Sequence, residues 1–224
     1  MMNMHKWKLG ILAGGLALLA VLVATAQESK KDDKNRQELQ KKREALMKKL
    51  ETTRGRKMNI PPTDGMLVKI LAESTRVKRA LEIGSSNGYS ALWIGQGLEN
   101  HGGHLWTIEI DAGRAKECRE NIKEAELEKT ITSIEDDAFK AIPKLEGPFD
   151  MVFIDAWKTD YKRFLDLVYP MVRPGGLIIG HNTIESAKDM QDYLDAVNNS
   201  PDMDSVTLST TRMAGGLTVS FKRK

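Results

Sequence analysis

The sequence predicts an α/β protein, a three-layer sandwich built on a mostly parallel seven-stranded sheet that closes in a C-terminal antiparallel hairpin. Three observations carry this expectation. From residue 58 onward, short apolar runs alternate with stretches at helical spacing. Phe149–Ile154 has few polar residues, as a central strand covered on both faces should. The last two runs are joined through Ala214-Gly215-Gly216, which is a turn and leaves no room for a crossover helix.

The elements follow in order. A helix over Thr63–Arg76 is entered through Pro61-Pro62, then Ala80–Ile83 reads as a strand and Gly88–Glu99 as a helix. Leu105–Glu109 is a strand, and Asp111–Ala125 is a helix with Asp111 as its cap. Thr130–Ile134 and Phe149–Ile154 are strands, and Asp160–Val172 is a helix broken by Pro174-Gly175-Gly176. Leu177–Gly180 is a strand and Glu185–Asn198 a helix, and Ser205–Ser209 pairs with Leu217–Lys222. In sheets of this kind ligands bind beyond the carboxyl ends of the strands.

Composition narrows the function classes. The chain has 224 residues, 41% hydrophobic and 29% charged, which excludes a disordered chain and a polytopic membrane protein. A single cysteine, Cys118, excludes an internal disulfide and a cysteine-based zinc cluster. Residues 27–57 hold twelve Lys/Arg against six Asp/Glu, and Lys6 and Lys8 add two more charges. The overall +3 therefore leaves residues 58–224 at −5. An acidic body gives no reason to expect nucleic acid as a partner.

Residues 1–26 have the order of a secretory signal. His5, Lys6 and Lys8 precede the uncharged run 9–24, and Ala24-Thr25-Ala26 offers a cleavage site before Gln27. Sixteen apolar residues are short for a spanning helix. Export with cleavage is the expectation. The alternative is an uncleaved anchor, touching the membrane only through residues 1–26. Seven Lys/Arg between Lys30 and Arg43 would then hold the body in the cytoplasm. Residues 27–57 read as a charged helical linker, with Leu39, Leu46, Met47 and Leu50 as a thin apolar stripe. A lid or membrane-surface helix is the other reading. Residues 58–224 form the α/β domain.

The first strand runs into Glu82-Ile83-Gly84-Ser85-Ser86-Asn87-Gly88-Tyr89-Ser90, where glycines let backbone approach a ligand and a helix N-terminus offers free N–H groups. Ser86 and Tyr89 stand where a dinucleotide fingerprint needs its second and third glycines. A P-loop lysine is absent. Glu109 ends the second strand 25 residues after Gly84, where a carboxylate can accept from both ribose hydroxyls. Loop and acid together point to an adenosine-containing cofactor.

These segments, with Thr107-Ile108-Glu109-Ile110-Asp111, Asp136-Asp137-Ala138 and Phe149-Asp150-Met151-Val152-Phe153-Ile154-Asp155, resemble the class I S-adenosylmethionine (SAM)-dependent methyltransferases, whose fold is Rossmann-like. More narrowly, they resemble the catechol and caffeoyl-CoA O-methyltransferases. The resemblance runs from about Met58 to Phe221. It implies that Gly84, Ser85, Ser86 and Gly88 shape the loop around the methionine portion of SAM. Ser90 would hold its carboxylate, Glu82 would sit beside its amino group, and Glu109 would bind the ribose. Asp137 and Ala138 would border the adenine, Met58 and Ile60 would close over the cofactor, and Asp155 would also touch it.

The same resemblance makes Asp155 a metal ligand and catalytic residue and Lys158 the general base. A free lysine is a poor base near neutrality, so a neighbouring cation and burial are expected to depress it. Asn182 matches a further metal ligand. His181 departs from the pattern by replacing an aspartate, and an Asp155–His181–Asn182 site would favour Mn, Co or Zn over Mg. Loss of the metal, with His181 as a hydrogen-bonding residue or the base itself, is the rival reading. Ser209 falls where the catechol enzymes carry a substrate-binding acid, which argues against catechol itself.

The expected function is therefore O-methyl transfer from SAM to a small hydroxylated molecule, a vicinal-diol phenol being one candidate, with a divalent metal assisting. A non-catalytic SAM-binding module with a degenerate metal site is the alternative. The expected partner is a small-molecule substrate, and a homodimer is left open. His101-Gly102-Gly103-His104 reads as a turn, the methionines as packing and Cys118 as structural.

Overall fold

The computed structural model describes residues 29–52, 59–210 and 215–224. The signal or anchor expected over residues 1–26, and Met58, lie outside the described residues. By its contacts the chain divides between Ala45 and Leu46 into two units. Residues 29–51 are helical (α1), and before residue 46 the side chains are exposed apart from Leu39, which is partly buried, and Arg43, which is buried. Among the described residues no helix is long and apolar enough to cross a membrane.

The larger unit holds one seven-stranded sheet in the order β3-β2-β1-β4-β5-β7-β6. Its strands are β1 (Arg79–Ile83), β2 (His104–Glu109), β3 (Ile131–Glu135), β4 (Phe149–Ile154), β5 (Val172–His181), β6 (Met203–Leu208) and β7 (Leu217–Lys222). The helices are α2 (Pro62–Ser74), α3 (Tyr89–Glu99), α4 (Ala112–Glu124), the short α5 (Ala138–Ala141), α6 (Tyr161–Val168) and α7 (Gln191–Asn198). Strands β1 to β5 pair in parallel, and β7 runs antiparallel to both β5 and β6. This is the expected architecture, three layers with a closing hairpin.

Two apolar cores cover the two faces of the sheet. One gathers Ala80, Phe153 and Ile179 under α2 and α3, and the other gathers Leu81, Val152 and Ile178 under α6 and α7. Leu81, Val152 and Ile178 share one register line across β1, β4 and β5, so alternate residues of each strand feed opposite cores. Each such side chain contributes about 1.5–3 kcal/mol by leaving water.

Four stretches differ from the sequence expectation. β5 begins at Val172 and passes through Pro174-Gly175-Gly176, because a register shift between Phe149 and Met151 of β4 absorbs the extra residues. The Pro-Gly-Gly run is a bulged strand and does not break a helix. The helix expected over Asp160–Val172 is shortened to α6, with single 3₁₀ turns at Lys158–Asp160 and Tyr169–Met171. The one expected over Glu185–Asn198 starts at Gln191, after a 3₁₀ turn at Ala187–Met190. Finally, Leu46, Met47 and Leu50 at the end of α1 are buried with Ile60 and Val68. These three positions of the expected linker's apolar stripe, though not Leu39, are thus part of the core of the larger unit.

Helices α2 and α3 pack closely because Gly97 has no side chain. A Cβ there would fall 2.7 Å from the Lys69 carbonyl oxygen, a backbone atom that cannot swing aside. Gly97→Ala should therefore lower stability by about 1–3 kcal/mol. Chemical denaturation checks this, and an unchanged midpoint would contradict the close packing of α2 on α3.

Candidate functional site

The carboxyl ends of β1, β2, β4 and β5 meet at one edge. Ile83 pairs with Ile108 and Ile154, and Ile154 with Gly180, so the residues that follow these strands emerge side by side. They are Gly84, Glu109, Asp155 and His181.

Gly84 turns the chain at φ +93°, and a Cβ would collide with the carbonyl of Asp155. Only glycine fits this crossing. Ser86 follows at φ +47°, a region costly for a residue with a side chain, and its N–H donates to Glu109 Oε2 at 2.8 Å. Glu109 Oε1 accepts from Asp111 N at 3.0 Å. Glu109 thus pins the loop to the end of β2, and each carboxylate oxygen keeps a further lone pair. Gly88 caps α3 at φ +87°, lying against Cys118. Burial pushes the Cys118 thiol up to about 11, so this cysteine is structural, as expected.

Beneath the loop, Glu82 is wholly buried. Its carboxyl accepts from the Thr107 hydroxyl and interacts with Ser90, yet Oε1 has no hydrogen-bond partner. Burial raises it from 4.5 to about 7, against the pull of the two hydroxyls. A buried, orphaned carboxylate oxygen under a glycine turn fits the ammonium of an amino-acid cofactor, and the residues present suit SAM. Ser85 Oγ is likewise buried without a partner. Asp137 caps α5 by accepting from Phe139 N at 2.9 Å, and Ala138 begins that helix. Ile60 is packed in the core, which leaves little of its side chain for a ligand.

Asp155 faces two cations. Lys158 Nζ donates to Oδ1 at 2.8 Å, and His181 Nδ1 lies 3.1 Å from Oδ2. The Nδ1 contact is an ion pair off the ring's N–H axis and lacks hydrogen-bond alignment. Burial opposes ionisation of Asp155, but the His181 ring and the Lys158 ammonium overcome it and hold the carboxyl well below the usual range. The buried Tyr161 hydroxyl accepts from Lys158 Nζ at 2.9 Å and reaches the carbonyls of Ile154 at 2.9 Å and His181 at 3.0 Å. It ties the ends of β4 and β5 together behind the lysine.

His181 holds the feature that sequence reasoning missed. Its Nε2 is 2.9 Å from Oδ2 of Asp64 in the first turn of α2, and both side chains are almost fully buried. Asp64 Oδ1 in turn accepts from the Thr210 hydroxyl. The ring thus stands between two carboxylates. A neutral imidazole has one N–H and one lone pair, and the lone pair would face an anion. Burial disfavours the charged ring, but Asp155 and then Asp64 outweigh it and raise His181 to about 9. A sequence clue to Asp64 existed only in its place after Pro61-Pro62-Thr63, where an acid also reads as a complement to the helix dipole.

The expected metal trio does not fit this arrangement. Both ring nitrogens of His181 face carboxylates, and both oxygens of Asp155 are met by cations. Asn182 follows at φ +57°, its carbonyl accepting from Ser186 N at 2.9 Å. Among the described residues no group of three or more His, Cys, Asp or Glu is arranged to hold a metal ion. The paired histidines of the 101–104 turn are engaged elsewhere, His101 with the Val77 carbonyl and His104 with the Thr132 hydroxyl, both at 2.9 Å.

The profile of the O-methyltransferase family matches residues 28–202. The chain belongs to that family. A catechol O-methyltransferase of Niastella koreensis is 33% identical over 135 residues, covering 58% of this chain and 61% of the relative. The chain spans about three-fifths of the length of such curated relatives. Among solved structures, TomG of Streptomyces achromogenes in complex with SAM superposes with a TM-score of 0.72 at 24% identity, covering 81% of this chain and 90% of its own. An O-methyltransferase of Bacillus cereus in complex with SAH gives 0.70 at 22% identity, covering 80% and 91%. At these identities the two structures establish the shared fold.

The Glu82 carboxyl yields a pH prediction. An unfolded glutamate loses its proton near pH 4.5, whereas the folded group keeps it to about 7. Between these values the native state binds more protons, so stability falls as pH rises. From pH 5.0 to 6.5 the cofactor-free protein should lose about 2 kcal/mol from this group. Glu82→Gln should flatten that slope in urea unfolding. A slope unchanged by the substitution would contradict the assignment.

Proposed function

We propose that the protein is a SAM-dependent O-methyltransferase acting on a small phenolic or otherwise hydroxylated acceptor, with Lys158 as general base. The observation that carries this reading is the placement of the Gly84–Ser90 turn, the orphaned Glu82 carboxyl, Glu109 and the Lys158–Asp155 pair at one sheet edge. Glu82 would meet the amino group of SAM, Glu109 its ribose, and Asp137 and Ala138 its adenine. Bound SAM supplies an electrophilic methyl group.

The chain's own residues supply the rest. Asp155 and Tyr161 aim Lys158 Nζ, and in its amine form that atom takes the acceptor's hydroxyl proton. Trp157, highly exposed next to Lys158, offers a flat face for an aromatic acceptor. The vicinal diol was expected because it could chelate a metal. With the Asp155–His181–Asn182 trio unsuited to one, a single hydroxyl suffices. Most of the rate would come from holding acceptor oxygen and methyl group in line. Export with cleavage before Gln27 remains the proposed route, with the anchored form as its alternative.

Calorimetry should detect SAM binding, weakened about tenfold or more by Glu109→Ala through loss of charge-assisted contacts. Lys158→Met should lower methyl transfer to a phenol panel by about a hundredfold while leaving SAM affinity within about twofold. Binding of NAD without SAM would overturn the cofactor assignment. Full activity of Lys158→Met would remove the base, and SAM binding with no acceptor methylated would favour a binding module.

A further inference from the structure

We propose that the His181 ring, held between Asp64 and Asp155, supplies fixed positive charge where the family resemblance implies a metal, and that Asp64 is the positioning residue that holds it. The proposal rests on the methyltransferase reading for its chemistry and on geometry for its substance. Nε2 lies 2.9 Å from Asp64 and Nδ1 3.1 Å from Asp155; the ring and Asp64 are buried, and Asp155 is partly exposed. A carboxylate oxygen beside each ring nitrogen disfavours a bare lone pair there and favours the doubly protonated form.

The clamp joins distant parts of the chain. Asp64 comes from the first turn of α2, 117 residues from His181, and Thr210 fastens its other oxygen from the segment after β6. Because the ring is fixed on both sides, its charge does not have to reorient when an acceptor oxygen loses its proton to Lys158. Such preorganised charge is worth more in a dry site than in water. Asp64 touches no reacting atom. It acts by keeping the ring protonated and turned towards Asp155.

The test uses the full-length protein at pH 7.5. Long-range ¹⁵N–¹H spectra, with His181→Gln to assign the signals, should show both ring nitrogens of His181 protonated. Asp64→Asn should leave one of them unprotonated. The same variant should lower kcat by about tenfold or more with SAM affinity within about twofold, and Asp64→Glu should recover part of the loss. Thr210→Val, a milder change, should give a smaller loss in the same direction. Wild-type activity should persist in chelator, and calorimetry with Mg or Mn should show no binding that His181→Gln abolishes. His181→Asp should create such binding and make activity sensitive to chelator. A wild-type ring with one bare nitrogen, or activity lost in chelator and restored by Mn, would overturn the proposal. If no acceptor is methylated, the methyltransferase reading fails alone, since the ring spectrum and the metal titration need no acceptor and still decide this one.

Discussion

The Asp155 carboxylate accepts Lys158 on one oxygen and meets the His181 ring on the other, and its main chain is held just as firmly. Its N–H donates to the Ile83 carbonyl at 2.9 Å, and its own carbonyl fills the space that a side chain at Gly84 would need. One residue therefore fixes the crossing of the glycine turn over β4 and the orientation of both cations. Tyr161 reinforces it by joining the ends of β4 and β5 through their last carbonyls. The site can be this close-set only because β1, β4 and β5 are in register at Ile83, Ile154 and Gly180.

Two buried carboxyls at this edge have opposite fates, and the difference explains their uses. Glu82 has hydroxyl partners but no cation, so burial wins and its acidity falls. Asp155 is also largely withdrawn from water, though less completely, and two cations reverse the outcome. Glu82 is thus left with an unmet demand for positive charge, which a cofactor ammonium can satisfy. Asp155 has no such demand and serves as an anchor. His181 extends the same logic, because a second carboxylate, Asp64, secures on the far side what Asp155 secures on the near side.

Much of this was legible in the sequence, for reasons that particular residues make clear. The apolar runs 80–83 and 149–154 are short, rich in aliphatic and aromatic residues and bounded by turns, so they could hardly be anything but buried strands. The glycine turn and Glu109 were legible because their spacing is local to one β-α-β unit. Pro174-Gly175-Gly176 misled, since those residues stop helices yet also sit in a bulged strand when the neighbour can shift register. Leu46, Met47 and Leu50 sit in a highly charged stretch, and only the tertiary packing draws them into the core. Asp64 was illegible as a site residue because its partner lies 117 positions away, and nothing in the local pattern separates it from an ordinary helix-start acid. The metal expectation counted the donors at 155, 181 and 182 without the carboxylate behind the ring.

A crystal structure of the protein grown with SAH and Mn, with anomalous data collected at the manganese edge, tests the whole account at once. The adenosine moiety should lie over Glu109 and the amino group at Glu82. The His181 ring should remain between Asp64 and Asp155, with no anomalous peak beside it. A manganese peak bridging Asp155, His181 and Asn182, or a ligand seated away from the Gly84–Ser90 turn, would contradict it.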